Sequence, residues 1–192
     1  MPNVFEVLRQ DHDEVKAMLV RLEAGPSASL GATGEQIEQR KRLVDELIIE
    51  ESRHEAAEQQ YFWPMVRALG PEGDRLADEA IDQETHGEAV LNELDKLSPD
   101  DARFEQVLAA FISDARAHIA FEEAHVWPLL GAALSVEQAG ELGDKITQAK
   151  KMAPTRPHPT VPATDGAQKT AGPLAGAADK IRDAVTGRGR HS

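Results

Sequence analysis

The chain has 192 residues, no cysteine and a formal net charge of −13. That length suits one domain with a sizeable core plus an extension, not two full domains, and the lack of cysteine excludes disulfides, thiolate metal sites and cysteine nucleophiles, so that any metal must be held by His, Asp, Glu or Tyr. The charge is uneven, net −16 over residues 1–152 and +3 over 153–192, which disfavours nucleic-acid binding by the body and favours cations.

The N-terminus has neither a basic n-region nor an apolar h-region, and apolar runs such as Val107 to Ile112 are too short to span a bilayer. The expectation is a cytoplasmic protein without membrane association. Val4, Leu8, Val15, Met18, Leu19 and Leu22 recur at helical spacing and predict a first helix over 3–24, ended by Gly25-Pro26. A Gly/Ser/Ala/Thr loop follows. Ile37, Leu43, Val44, Leu47, Ile48, Tyr61, Phe62, Met65, Val66 and Leu69 then mark a long second helix, which Pro64 should kink. After Gly70-Pro71, Leu76, Ala80, Ile81, Leu91, Leu94 and Leu97 give a third. Ser98 and Pro99 offer an N-cap and first position for a fourth helix that runs to about Ala133, and Ser135 opens a shorter fifth to about Met152. Nothing alternates with period two over a strand's length. The fold class is therefore all-α, an antiparallel up-down four-helix bundle with a short fifth helix over 1–152. The Pro/Ala/Gly-rich stretch 153–192 is expected to be a disordered tail.

One stretch recurs. His54, Glu58, Trp63 and Pro64 are matched in register, sixty-four residues later, by His118, Glu122, Trp127 and Pro128. Residues four apart stack on one helix face, so each His-x-x-x-Glu presents an imidazole and a carboxylate to one point. Four of the seven histidines, His12, His54, His86 and His118, fall one to each long helix. His54 lies sixteen residues before Gly70 and His86 fifteen after Pro71, which in an antiparallel pair sets both about 24 Å from the turn. Such a set would bury several polar groups that need a partner, and a pair of metal ions is the simplest one. Tyr61 and His125 stand seven residues after their histidines, one turn further down the same face, as hydrogen-bond partners of the ligands or extra ligands. Trp63 and Trp127, about 180° round from the histidines, read as packing residues beside the proline kinks.

This order, His, then His-x-x-x-Glu, then His, then His-x-x-x-Glu, resembles the hemerythrin-like family of HHE cation-binding domains over roughly residues 3–132. The resemblance implies a non-haem di-iron centre, oxo- or carboxylate-bridged, with His12, His54, Glu58, His86, His118 and Glu122 as ligands and Glu58 and Glu122 as bridges. It also implies oxygen, peroxide or nitric oxide as the small-molecule ligand, turned over by a di-iron oxidoreductase; the alternative is oxygen, nitric oxide or iron bound reversibly or sensed without turnover. Val90 stands where oxygen-carrying members have a second histidine on the third helix, and Glu55 is the candidate replacement. A site with fewer imidazoles and more carboxylates favours the ferric state, which points to catalase-like or peroxidase-like reaction with peroxide over reversible carriage. Three other readings compete. A His-Glu-x-x-His zinc protease fails because Glu58 stands at the second ligand, a ferritin-type site lacks its second Glu-x-x-His because residue 115 is Ala, and a metal-free interaction module would tolerate apolar residues in place of the histidines.

Overall fold

The computed structural model describes residues 2–157 together with 177, 179 and 183. Helix α1 (Val4–Ala24) is opened by a capping box in which Asn3 and Glu6 bond each other's backbone N–H groups. A loop with one 3-10 turn leads to α2 (Gly34–Ala57), capped in the same way by Thr33 and Gln36. A π turn, Glu58–Phe62, joins α2 without a break to α3 (Trp63–Arg67). Gly70, at φ 92°, makes the reversal, and Pro71 starts α4 (Pro71–Lys96). Helix α5 (Phe104–Phe121) passes through a second π turn, Glu122–Val126, into α6 (Trp127–Ala133). Helix α7 (Val136–Met152) begins at a Ser135/Gln138 capping box. Among the described residues there is no strand.

Two expectations shift. The fourth long helix starts at Phe104 instead of Pro99, because Asp101 turns back to accept from the Arg103 N–H and residues 98–103 form a turn. At Pro64 and Pro128 the chain widens into π turns instead of a simple kink. Proline has no N–H to return to the carbonyl four residues before it, and the preceding N–H, of Trp63 or Trp127, bonds five residues back, to Glu58 or Glu122. Each π turn carries one extra residue and delays everything after it by about 100°.

Helices α1, α2, α4 and α5 pack around an apolar cluster that includes Leu19, Leu22, Leu47, Leu91, Leu94, Phe104 and Leu108. A second cluster, including Leu8, Phe62, Trp63, Leu76, Val126, Leu130, Leu142 and Ile146, joins the π turns to α7. Helix α7 lies along α1 and α2. It can approach the start of α1 because Gly143 has no side chain: a Cβ there would stand 2.7 Å from the Pro2 carbonyl oxygen. At the opposite end, Arg40 grips Glu105 through Nε and Nη2 (2.8 and 2.6 Å) and donates to the Leu22 carbonyl, tying α1, α2 and α5 together. No helix of the described residues is long and apolar enough to cross a membrane.

Most of the stretch expected to be a tail lies outside the described residues. Residues 153–157 are described, and they are buried. Thr155 and Arg156 bond Asp179 and Asp183, and Arg156 reaches Asp95 on α4 at 3.8 Å. This first part of the stretch therefore packs, because polar side chains satisfy a backbone that has little apolar surface to bury.

Candidate metal centre

Between the two apolar clusters lies a polar layer. His12, His54, Glu51, Glu55, Glu58, Glu84 and Glu122 are all buried, with Glu58 and Glu122 completely so. Within it two groups of donor atoms are compact enough to hold a cation: His12, His54 and Glu122, and Glu58, Glu84, His118 and Glu122. Glu122 belongs to both. Its Oε2 lies 3.1 Å from His12 Nε2 and its Oε1 lies 3.2 Å from His118 Nε2, while Glu58 Oε2 lies 3.1 Å from His54 Nε2.

The three imidazoles are held from behind. His12 Nδ1–H donates to Glu123 Oε1 at 3.0 Å, and Lys16 fixes that carboxylate from outside at 2.7 Å. His54 Nδ1–H donates to Asp11 Oδ2 at 3.2 Å, and Lys150 of α7 binds the other Asp11 oxygen. His118 Nδ1–H donates to Gln83 Oε1 at 3.1 Å. With Nδ1 directed at these outer acceptors, each ring turns its Nε2 inward, the nitrogen that can bind a metal. All three Nε2 atoms, and both oxygens of Glu58 and of Glu122, lack a hydrogen-bond partner. They approach one another closely without hydrogen-bond geometry, as groups do when aimed at a common point. Buried polar atoms left in that state are costly, and a cation satisfies them.

Electrostatics point the same way. Burial pushes Glu58 and Glu84 above the ordinary carboxylate range, and their neighbours' negative charge adds to it. Burial raises Glu55 and Glu51 likewise. Burial alone would lower His118, but the Glu122 carboxylate, with Glu84 and Glu58 behind it, raises it to about 9. Burial would raise Glu122, yet His118 and His12 hold it well below its usual range. Acids outnumber imidazoles in this layer, so without a cation some must carry protons.

The structure brings His12, His54, Glu58, His118 and Glu122 together and leaves His86 out. His86 is exposed and faces Asp114 at 3.4 Å. The buried face of α4 runs through Ala77, Ala80, Glu84, Gly87, Leu91 and Leu94, at spacings alternating between three and four. His86 is off that stripe and Glu84 is on it, so the carboxylate takes the place expected for the imidazole. The alternation is the sequence signal that selects Glu84. Trp63 Nε1–H and Gln59 bond the two oxygens of Glu84. The π turn swings Trp63 inward to do so, so its expected role as packing alone does not hold. Trp127 is swung likewise and stacks on His12, centroids 5.0 Å apart and planes 15° from parallel. Glu55 is buried but outside both compact groups, with Oε1 toward Gly87 of α4. Tyr61 is half-buried against the second cluster. His125 is exposed and lies against Phe121, away from the layer, because the π turn rotates it off the histidine face.

A small cavity of about 20 Å³, room for one water-sized molecule, opens beside the layer between α1, α2, α4 and α5. A helical bundle with a buried His/carboxylate layer arranged as a cation site defines the class. The chain belongs to the hemerythrin HHE cation-binding domain family, whose pattern matches residues 3–130. An uncharacterised hemerythrin-like protein of Schizosaccharomyces pombe is 27% identical over 143 residues, 74% of this chain and 70% of that protein. A crystal structure of a hemerythrin HHE cation binding domain-containing protein from Mycobacterium kansasii shares the fold, with a TM-score of 0.65 at 22% identity over 79% of this chain and 86% of that one.

Proposed function

We propose that the chain holds two iron ions and reacts with hydrogen peroxide in a catalase-like way. The observation that carries this reading is Glu122, which turns one oxygen to His12 and the other to His118 and so belongs to two donor groups at once. His12 and His54 would hold one ion and Glu58, Glu84 and His118 the other, with Glu122 common to both. The charges are compatible: Glu58, Glu84 and Glu122, the carboxylates of the two donor groups, supply three negative charges when ionised, which offset most of the charge of two divalent cations.

When bound, an iron pair supplies a two-electron redox couple, suited to converting two peroxide molecules into one dioxygen and two waters. The chain's own residues do the rest. Asp11, Glu123 and Gln83 fix the three ring planes. Trp127 covers His12, and the apolar clusters on either side keep bulk water out. The cavity, with room for about one water-sized molecule, lies directly beside the donor groups. Glu84 in place of His86 makes the donor set richer in carboxylates, and hard anionic oxygens favour the ferric state over reversible oxygen carriage. Protein purified from iron-replete cells is expected to carry about two irons per chain and to evolve oxygen from peroxide. One zinc per chain, or a stable oxygen adduct that bleaches under vacuum without peroxide turnover, overturns the proposal.

A further inference from the structure

The cavity beside the polar layer touches both solvent and the cluster. At its outer side stands Asp114, whose side chain is 45% exposed. Deeper in its wall are Glu51, 7% exposed, and Glu55, 4% exposed. His12, His54, Glu84 and His118 of the cluster line the same cavity. Glu51 Oε1 and Glu55 Oε2 are buried and have no hydrogen-bond partner. Neither residue belongs to the two compact donor groups, so the centre does not use them as it uses Glu58 and Glu122. The apolar part of the wall is Val15, Phe111, Ala115 and Ile119, and its other polar residues, Asp11 and Gln83, are already bonded to His54 and Lys150 and to His118.

Two carboxylates, each with a buried oxygen left without a partner, are costly in a largely apolar wall, and no packing need explains them, since apolar residues would line the cavity at lower cost. Their chemistry suits a hard divalent cation, which binds oxygen donors. The dimensions suit it too. A hydrated ion is too large for a space that holds about one water, so it must shed water as it enters, and carboxylate oxygens can replace that water step by step. We propose that this cavity is the uptake route of the metal ions, with Glu51 and Glu55 as transient ligands between Asp114 at the surface and the cluster within. This rests on the metal-binding reading above.

Gly87 fits the same role. A Cβ at this position would lie 3.7 Å from Glu55 Oε1 and 3.9 Å from Phe111 Cε2. These are ordinary contacts, so alanine is accommodated and narrows the passage without forcing the helices apart. Glycine within a helix is less favourable than alanine by about 1 kcal/mol, so keeping the wall bare costs stability.

The test is stopped-flow uptake of cobalt(II) by the chelator-stripped full chain, followed by the visible bands of bound cobalt, with equilibrium titration alongside. The double substitution E51Q/E55Q is expected to slow uptake about tenfold or more, the scale on which a charged cleft raises arrival rates, and to weaken its salt dependence. Final cobalt content and affinity should match the wild type. Gly87→Ala should fold at least as stably as the wild type and also take up cobalt severalfold more slowly, which keeps the test decisive if the double variant does not fold. Wild-type rates in a folded variant overturn the route. So does a parallel fall in affinity and stoichiometry in E51Q/E55Q, which would make these residues ligands of the centre itself. A wild-type chain that takes up no cobalt overturns the metal-binding reading and the route with it; equal rates at full cobalt content overturn the route alone.

Discussion

Replacing Glu122 by Gln keeps the shape of the side chain and removes one charge from the middle of the polar layer. The consequences can be worked out separately for the loaded and the stripped protein. On the proposed two-ion reading the loaded protein loses the carboxylate common to both donor groups, leaving His12 and His54 on one side and Glu58, Glu84 and His118 on the other. The side with three donors should keep its ion and the side with two should not, so metal content falls from about two per chain to about one. In the stripped protein Glu122 lies 3.1 Å from one imidazole and 3.2 Å from another. His118 rises from 6.5 to about 9 chiefly because of this carboxylate, which corresponds to about 3 kcal/mol at about 1.4 kcal/mol per pH unit. That agrees with the 3–5 kcal/mol expected when one partner of a buried ion pair is removed. The sign is fixed by linkage. Because the folded value of His118 is raised, its contribution is complete below pH 6.5 and is lost as pH rises through about 9. Glu122, held below its usual range, contributes above pH 4.5 and loses that as pH falls. Urea unfolding of stripped wild type and E122Q should therefore differ by about 3 kcal/mol near pH 6, with the gap closing above pH 9. An E122Q protein that keeps two metal ions, or a stability gap that does not change between pH 6 and pH 9.5, refutes the reasoning.

Other outcomes follow from the same geometry. Asp11→Asn and Gln83→Leu release the rings of His54 and His118 and should each weaken metal affinity by about 10–100-fold, read by chelator competition, while saturating metal restores full content. His86→Ala should leave metal content, and the proposed peroxide reaction, unchanged and shift unfolding by no more than about 0.5 kcal/mol, because the side chain is exposed and outside the layer. Ending the chain after Met152 should leave metal content unchanged. It should lower the thermal midpoint by about 2–4 °C for each kcal/mol lost with the Thr155 and Arg156 contacts.

Much of the bundle is legible in the amino-acid order because its helices are amphipathic and clearly capped. Asn3, Thr33 and Ser135 each open a helix by the same reciprocal bonding, and apolar residues at three- and four-residue spacing mark the inner faces. The repeated His-x-x-x-Glu is legible too, since a helix turns that spacing directly into proximity. What escapes are features that no local spacing encodes. Asp11 and Glu123 reach histidines 43 and 111 residues away in the chain, so only the packed bundle pairs them. His86 attracts notice as a histidine, but a residue's chemistry does not say which way its helix faces. The face of α4 is set by Leu91, Leu94 and Ala80, and they select Glu84. The π turns escape because one additional residue hardly disturbs a count of apolar positions, yet it redirects both tryptophans.

Those two turns divide each long rod into segments with independent rotational settings. Upstream of Glu58 and Glu122 the helix phase is fixed by the residues that deliver His54 and His118. Downstream it is fixed by Phe62, Val66, Val126 and Leu130, which seat the second apolar cluster. A deletion of one residue between Glu58 and Trp63 would leave the upstream face as it is and turn the rest of the rod by about 100°, pulling Trp63 off Glu84 and Val66 out of its packing together. Substitutions are borne by the contacts they touch, but a change of length here is borne by every residue beyond it. The spacing from carboxylate to tryptophan is therefore a tighter constraint on this chain than the identity of the residues that fill it.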